Sequence, residues 1–155
     1  MIQTILDGIK DVTENLKVKN LIISRQIEKT DECIEILNIA KERKTKIIVI
    51  EKGKRINIDK DIYFNILWAD EKELIKENGI NNNSIVAKLT YGKFKMLFTG
   101  DIEQIAEEKI IEMYGENLKS SILKVAHHGS NTSSIEKFID ATSPEIALIG
   151  VRTKQ

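Results

Sequence analysis

Residues 93 to 130 read KFKMLFTGDIEQIAEEKIIEMYGENLKSSILKVAHHGS, and they decide the fold. The stretch opens on an apolar strand pattern, Lys93 to Thr99, and runs through Gly100-Asp101 into a helical stripe of Ile102, Ile105, Ala106, Ile110 and Met113. Gly115 supplies a stop for that helix, and a second strand, Ser121 to Ala126, follows. Strand, helix, strand is the unit that lays two parallel strands side by side, with both carboxyl ends on one sheet edge. The two strand ends carry F-T-G-D at 98 to 101 and K-V-A-H-H-G-S at 124 to 130.

The alternation extends in both directions. Toward the carboxyl terminus, Ile135, Phe138 and Ile139 form the inward face of a helix that Ser133 and Glu136 can open as a capping box, and Pro144 separates it from a final strand, Glu145 to Val151. Toward the amino terminus, Ser84 to Tyr91 pairs with Lys93 to Thr99 as an antiparallel hairpin about Gly92. Before it come a polar stretch, Asp70 to Asn83, a strand from Tyr63 to Trp68 and a short strand from Arg55 to Ile58 that Gly53 turns into. The first 50 residues read helix, strand, helix, strand. Ile2, Ile5, Leu6, Ile9, Val12 and Leu16 line helix 1; Asn20 to Ser24 and Lys46 to Ile50 are the strands; Thr30 caps a helix from Asp31 to Arg43 whose face is Cys33, Ile36, Leu37 and Ala40. This is an α/β chain.

Composition bounds the function. Twenty-four basic residues balance 24 acidic ones, so a nucleic-acid partner requires a local patch rather than a net field. Cys33 is the lone cysteine, which rules out an internal disulfide. No apolar run approaches the ~20 residues of a membrane span.

The chemistry lies in the two strand-end motifs. Neighbouring strands lie ~4.8 Å apart, and carboxylates and imidazoles bind metals at ~2.1 Å, so Asp101 and one of His127 and His128, 26 or 27 residues on, can share an ion. Adjacent side chains on an extended strand face opposite ways, so one histidine is expected to reach it. The plainer readings are Asp101 as a helix N-cap, the histidines as polar residues at a strand end, Asn81 to Ser84 as a turn, and Trp68 and Tyr63 as sheet packing.

T-G-D after a hairpin strand, then a helix, then V-A-H-H-G-S, all preceded by N-N-N-S-I-V-A-K-L at 81 to 89, resembles the carboxyl-terminal metallo-β-lactamase-like domain of ComEC-type competence proteins. V-K-N-L-I-I-S at 18 to 24 and K-I-I-V-I at 46 to 50 also fall where that domain has its βα layers. The resemblance implies the carboxyl-terminal portion of an αββα sandwich, with two mixed sheets flanked by helices, spanning 1 to 155 as a partial domain. It implies metal-dependent hydrolysis, with phosphodiester cleavage in DNA during uptake as the favoured reaction and zinc or manganese as the metal. Asp101 matches the metal-bridging aspartate, and His127 or His128 a histidine at the metal. Asn83 and Ser84 lie at the edge of the site as supporting or substrate contacts, and Ser130 and Thr132 are placed to orient the histidines.

That family's first motif, H-x-H-x-D-H, lies upstream of the residues given, and His127 and His128 are the only histidines here. The expectation is therefore a catalytically incomplete piece with weak or no metal binding, partnered by the missing upstream half and by membrane channel segments of a parent protein. Bacterial placement on the outer side of the membrane would follow for such a parent, and the cytoplasm otherwise. An open apolar surface is expected on helix 1 and the sheet edge nearest it. The competing readings are a non-catalytic binding module or decayed fragment, and an unrelated α/β domain, which motifs on opposite sheet edges would establish.

Overall fold

The computed structural model describes residues 2–26, 30–69, 72 and 74–151, with side chains from Gly8 onward. The chain folds as two compact units, 1–50 and 51–155.

The first unit holds α1 (Ile2–Asn15), β1 (Asn20–Ile23), α2 (Asp31–Glu42) and β2 (Lys46–Val49). β1 and β2 pair in parallel from Asn20↔Lys46 to Ile23↔Val49, as a strand-helix-strand unit requires. The Thr30 hydroxyl accepts the Cys33 N–H at 3.2 Å, so the expected cap forms, and Ile36 and Ala40 are buried beneath α2 while Cys33 is half-buried. Lys10 of α1 and Glu35 of α2 pair at 2.7 Å. Ile9, Val12 and Leu16 of the α1 stripe are exposed, and the side chains of Ile2, Ile5 and Leu6 lie outside the described residues.

The second unit is a six-stranded mixed sheet in the order β3-β4-β5-β6-β7-β8, with β3 at Arg55–Asp59, β4 at Ile62–Trp68, β5 at Val86–Tyr91, β6 at Phe94–Phe98, β7 at Ile122–Lys124 and β8 at Ile146–Leu148. The first three junctions are antiparallel. β6, β7 and β8 are parallel, because helices α4 (Gln104–Tyr114) and α5 (Glu136–Thr142) carry the chain back between them. The β5–β6 hairpin turns at Gly92, with φ 56°, as anticipated. A one-turn helix, α3 (Gly79–Asn82), lies within the polar stretch; Asp70, Glu71 and Glu73 of that stretch lie outside the described residues.

Alternation gives the sheet two different faces. Val86, Leu97 and Leu123 point to the side that α4 and α5 cover, where they meet Ile102, Ala106, Ile110, Leu118 and Phe138, all 0% exposed. Trp68, 1% exposed, packs there too, and its indole N–H donates to the Asn82 carbonyl at 2.7 Å. The opposite face carries a row that crosses all six strands: Ile56, Phe64, Leu89, Met96, Ile122 and Ile146. A sheet apolar on both faces is built to be covered on both. The row emerges into solvent at β8, where Ile146 and Leu148 are 52% and 46% exposed.

Three local expectations change. α4 begins at Gln104, with Glu103 at the N-cap, so Asp101 does not cap it and Ile102 is a buried residue of the connecting turn. The Ser133–Glu136 capping box does not form: α5 starts at Glu136, and the Ser133 hydroxyl instead donates to the carbonyls of Ala126 and Ser130. The last strand is shorter than Glu145 to Val151, because β7 offers it only three partners.

The segment leading into α5 is held instead by Glu107 of α4. Its carboxylate, 0% exposed, accepts the Ser134 and Ile135 N–H groups at 2.6 and 3.0 Å. A carboxylate just ahead of a helix start also meets the positive end of the helix dipole, and these bonds tie α5 to α4. Burial pushes this carboxyl above its ordinary range, against the two backbone donors that stabilise its charge. Replacing the buried Glu107 with Ala strips two partly buried N–H groups of their acceptor and opens a gap, so a loss of about 2–4 kcal/mol is expected. Urea unfolding checks this; a loss below ~0.5 kcal/mol would contradict this role.

Candidate functional site

Both motifs arrive at one edge, the carboxyl ends of β6 and β7. The parallel register Phe98↔Lys124 puts Thr99 beside the last residue of β7, and the Thr99 hydroxyl donates to the Lys124 carbonyl at 2.6 Å. Three residues beyond Lys124, the His127 N–H donates to the Gly100 carbonyl at 3.2 Å, stitching T-G-D to H-H-G. Opposite edges, the arrangement an unrelated domain required, are not what this topology gives.

The histidines do not sit on an extended strand. β7 ends at Lys124, and His127, His128 and Gly129 follow with φ of 45°, 54° and 77°. Left-handed backbone is unfavourable for residues with a Cβ, by roughly 1–2 kcal/mol each, and such strain gathers at functional sites. The alternation that would send one imidazole away therefore does not apply, and each ring meets a carboxylate.

His128 Nε2 lies 3.7 Å from Asp101 Oδ1, while His128 Nδ1 lies 2.7 Å from the Gly150 carbonyl. A carbonyl only accepts, so Nδ1 is the donor in that contact, and Nε2 is the nitrogen that faces Asp101. Nε2 is buried and has no hydrogen-bond partner. His127 Nδ1 lies 3.3 Å from Glu103 Oε1, out of line for a hydrogen bond, and is likewise buried without a partner.

Glu103 was not among the residues singled out from sequence. Its carboxylate receives Asn78 Nδ2 at 2.7 Å, Asn81 Nδ2 at 3.4 Å and the Thr132 hydroxyl at 3.2 Å. Burial by itself would raise its pKa; the three donors and His127 outweigh burial and hold it below the ordinary carboxylate range. The available signal was the capping position after T-G-D, next to an asparagine-rich turn rich in amide donors.

Of the remaining expected residues, Ser84 touches the site directly, since its hydroxyl oxygen accepts the Asp101 N–H at 3.2 Å. Ser130 supports Thr132, hydroxyl to hydroxyl at 3.0 Å, and through it Glu103. Asn83 turns elsewhere. Its amide bonds the backbone of Ile75 in both directions, at 2.8 and 3.0 Å, and the Gly79 carbonyl at 2.6 Å. Its neighbour Asn82 instead accepts the Glu103 N–H at 2.9 Å. Asn81 to Ser84 is thus both a turn and a scaffold for the site.

Among the described residues, no group of three or more His, Cys, Asp or Glu side chains is arranged to hold a metal ion. The pair His128 and Asp101 has the spacing of two ligands on one ion, since two bonds of ~2.1 Å span at most ~4.2 Å.

The fold and the site edge define a class: an α/β chain with a mixed sheet flanked by helices, whose polar site gathers at the ends of two parallel strands. No family model matches the chain. Its sequence is 31% identical to ComE operon protein 3 of Bacillus subtilis (strain 168) over 133 residues, 86% of this chain and 16% of that protein. It is 41% identical to Competence protein ComA of Neisseria gonorrhoeae over 85 residues, 55% of this chain and 12% of that protein. Against the uncharacterized protein YcaI of Escherichia coli (strain K12) the identity is 43% over 68 residues, 44% of this chain and 9% of that protein. The chain is a homologue of the ComEC-type competence proteins. It spans 16% or less of the length of each of these three.

Two substitutions test the framework. Gly100 has φ 58°, and a Cβ there would lie 2.6 Å from Ser84 Cβ, so Gly100→Ala is expected to cost about 2 kcal/mol or more. Adding Ser84→Gly should recover the collision but not the backbone term, which a double-mutant cycle in denaturant separates. Glu103→Gln should flatten the acid limb of the stability profile. The native pKa of Glu103 lies below its ordinary 4.5, so its ionised form contributes stability above that value that is lost as pH falls through the lowered one. Thermal midpoints of both proteins between pH 3 and 7 decide it; identical pH profiles would refute the role of the donors.

Proposed function

We propose that this chain is the carboxyl-terminal part of a metallo-β-lactamase-fold hydrolase domain that cleaves phosphodiesters in DNA as part of competence. The observation that carries the reading is His128: its Nδ1 is anchored on the Gly150 carbonyl, and its buried, partnerless Nε2 faces Asp101 at 3.7 Å. An imidazole oriented through one nitrogen to present the other is the usual preparation of a metal ligand. The six-stranded sheet, with helices on one face and an apolar row on the other, supports one half of an αββα sandwich. The competence homologues support the setting in DNA uptake.

In this reading Asp101 and His128 hold a divalent ion, zinc or manganese. Such an ion supplies Lewis acidity toward a phosphoryl oxygen. Ser84 and Gly100 fix the Asp101 backbone, and Glu103, held ionised by Asn78, Asn81 and Thr132, stands beside His127 Nδ1. Asp101 and His128 are two ligands, and a catalytic zinc takes three plus an open position. The remaining ligands come from the rest of the parent protein, whose site would lie outside the membrane if it resembles its competence relatives. No described helix is long and apolar enough to cross a membrane.

After dialysis against trace zinc or manganese, the whole parent protein should retain stoichiometric metal and cleave a DNA phosphodiester, whereas residues 1–155 alone should retain little and cleave nothing. In the whole protein, Asp101→Ala and His128→Ala should each lower turnover about 100-fold or more, with a smaller loss for His127→Ala. Full activity in the Asp101 variant would overturn the reading. Metal-free, inactive whole protein that still binds DNA would favour a non-catalytic module.

A further inference from the structure

The helix-covered side of the sheet holds a cavity of about 450 Å³, lined by Tyr63 and Asn65 of β4, Lys88 and Thr90 of β5, Lys95 of β6 and Asn117. Lys95 lies near the start of β6, and Asp101 lies beyond its end, so the length of the strand separates this cavity from the histidines.

Its charge is one-sided. Lys88 is 8% exposed, and its ammonium donates to the Asn117 carbonyl. A buried ammonium costs several kcal/mol unless an anion compensates it. Glu116 also lines the cavity, but it is exposed and ion-pairs with Lys119. Lys88 has instead a second cation, Lys95, within electrostatic reach; burial first and Lys95 second push the Lys88 ammonium below its ordinary pKa. Arg55 lies outside the lining and stacks on one of its walls. Its guanidinium lies 4.0 Å from the centre of the Tyr63 ring, and its Nε donates to Asn65 Oδ1 at 3.1 Å, so Asn65 keeps its amide NH₂ for another acceptor.

We propose that this cavity binds the phosphate group of a small phosphate ester, with Lys88 and Lys95 as charged donors and Thr90 and Asn65 as neutral ones. An oxyanion removes the penalty of the uncompensated ammonium and takes charge-assisted hydrogen bonds from both lysines. The volume lies in the range of small-molecule sites and exceeds what a bare phosphate fills, which makes the ligand an ester of about nucleotide size. The site is independent of the metal reading, because it shares no residue with the histidine edge.

Titration calorimetry and NMR of the 155-residue chain with inorganic phosphate and thymidine 5′-monophosphate test it. Both probes should bind saturably, the nucleotide at least tenfold more tightly, with shifts at Lys88, Thr90 and Lys95. Lys88→Met and Lys95→Met should each weaken nucleotide binding tenfold or more, and Asp101→Ala should leave it unchanged. Lys95 is only half-buried, so its variant keeps the test valid should Lys88→Met fail to fold. Absence of saturable binding, binding that survives Lys95→Met, or shifts that map to His127 and His128 would overturn the proposal. Equal affinity for the two probes would overturn the assignment to an ester.

Discussion

The parallel pairing of β6 with β7 is the constraint on which the rest of this structure depends. Three register pairs, Met96↔Ile122, Leu97↔Leu123 and Phe98↔Lys124, fix where each strand ends relative to the other. A one-residue slip would send every side chain of β7 to the opposite face, moving Leu123 out of the helix-covered core. The same register brings T-G-D against H-H-G and lets the Thr99 hydroxyl and the Gly100 carbonyl bond across the junction. Packing and site geometry are two consequences of one ladder.

Around that ladder, buried polar groups do the fastening. Glu107 joins α4 to the start of α5, Glu103 joins α4 to the asparagine turn and to Thr132, and Asn82 and Asn83 close the turn on itself and on Glu103. Each of these residues is buried. Such groups are costly when left unpaired, so they specify one arrangement sharply. The exceptions then stand out. Among the described residues, His127 Nδ1, His128 Nε2 and the Ser134 hydroxyl are buried without a hydrogen-bond partner, and two of these three atoms face the carboxylates of one edge. In a region so fully satisfied elsewhere, two unpaired ring nitrogens beside Asp101 and Glu103 set this edge apart from the rest of the unit.

The two faces of the six-stranded sheet show a similar economy. One is closed by α4 and α5, and at its far end it leaves a cavity in which Lys88 and Lys95 lack an acidic partner among the described residues. The other presents an apolar row through to the exposed β8 edge. The competence proteins to which the chain is similar are many times its length.

Periodicity and turn chemistry determined most of the elements. The 3.6-residue stripes of α2 and α4, the hairpin at Gly92, the Thr30 cap and the strand-helix-strand order were all legible, because each depends on neighbours within a few residues. So was the meeting of Asp101 with a histidine, since parallel strands joined by one helix must end on the same edge. What only the tertiary structure decided were the contacts made across long separations. Glu107, rather than a Ser133–Glu136 box, holds the approach to α5, because it reaches the Ser134 and Ile135 N–H groups from another helix, 27 residues away from Ser134 in sequence. Asn81 and Asn82, rather than Asn83, serve the site because the single turn of α3 sets their directions. The two histidines differ through Gly150, 22 residues beyond His128, whose carbonyl contacts His128 Nδ1. A left-handed turn at two non-glycine residues has no local sequence signature; surrounding hydrogen bonds impose it against the preference of the residues themselves.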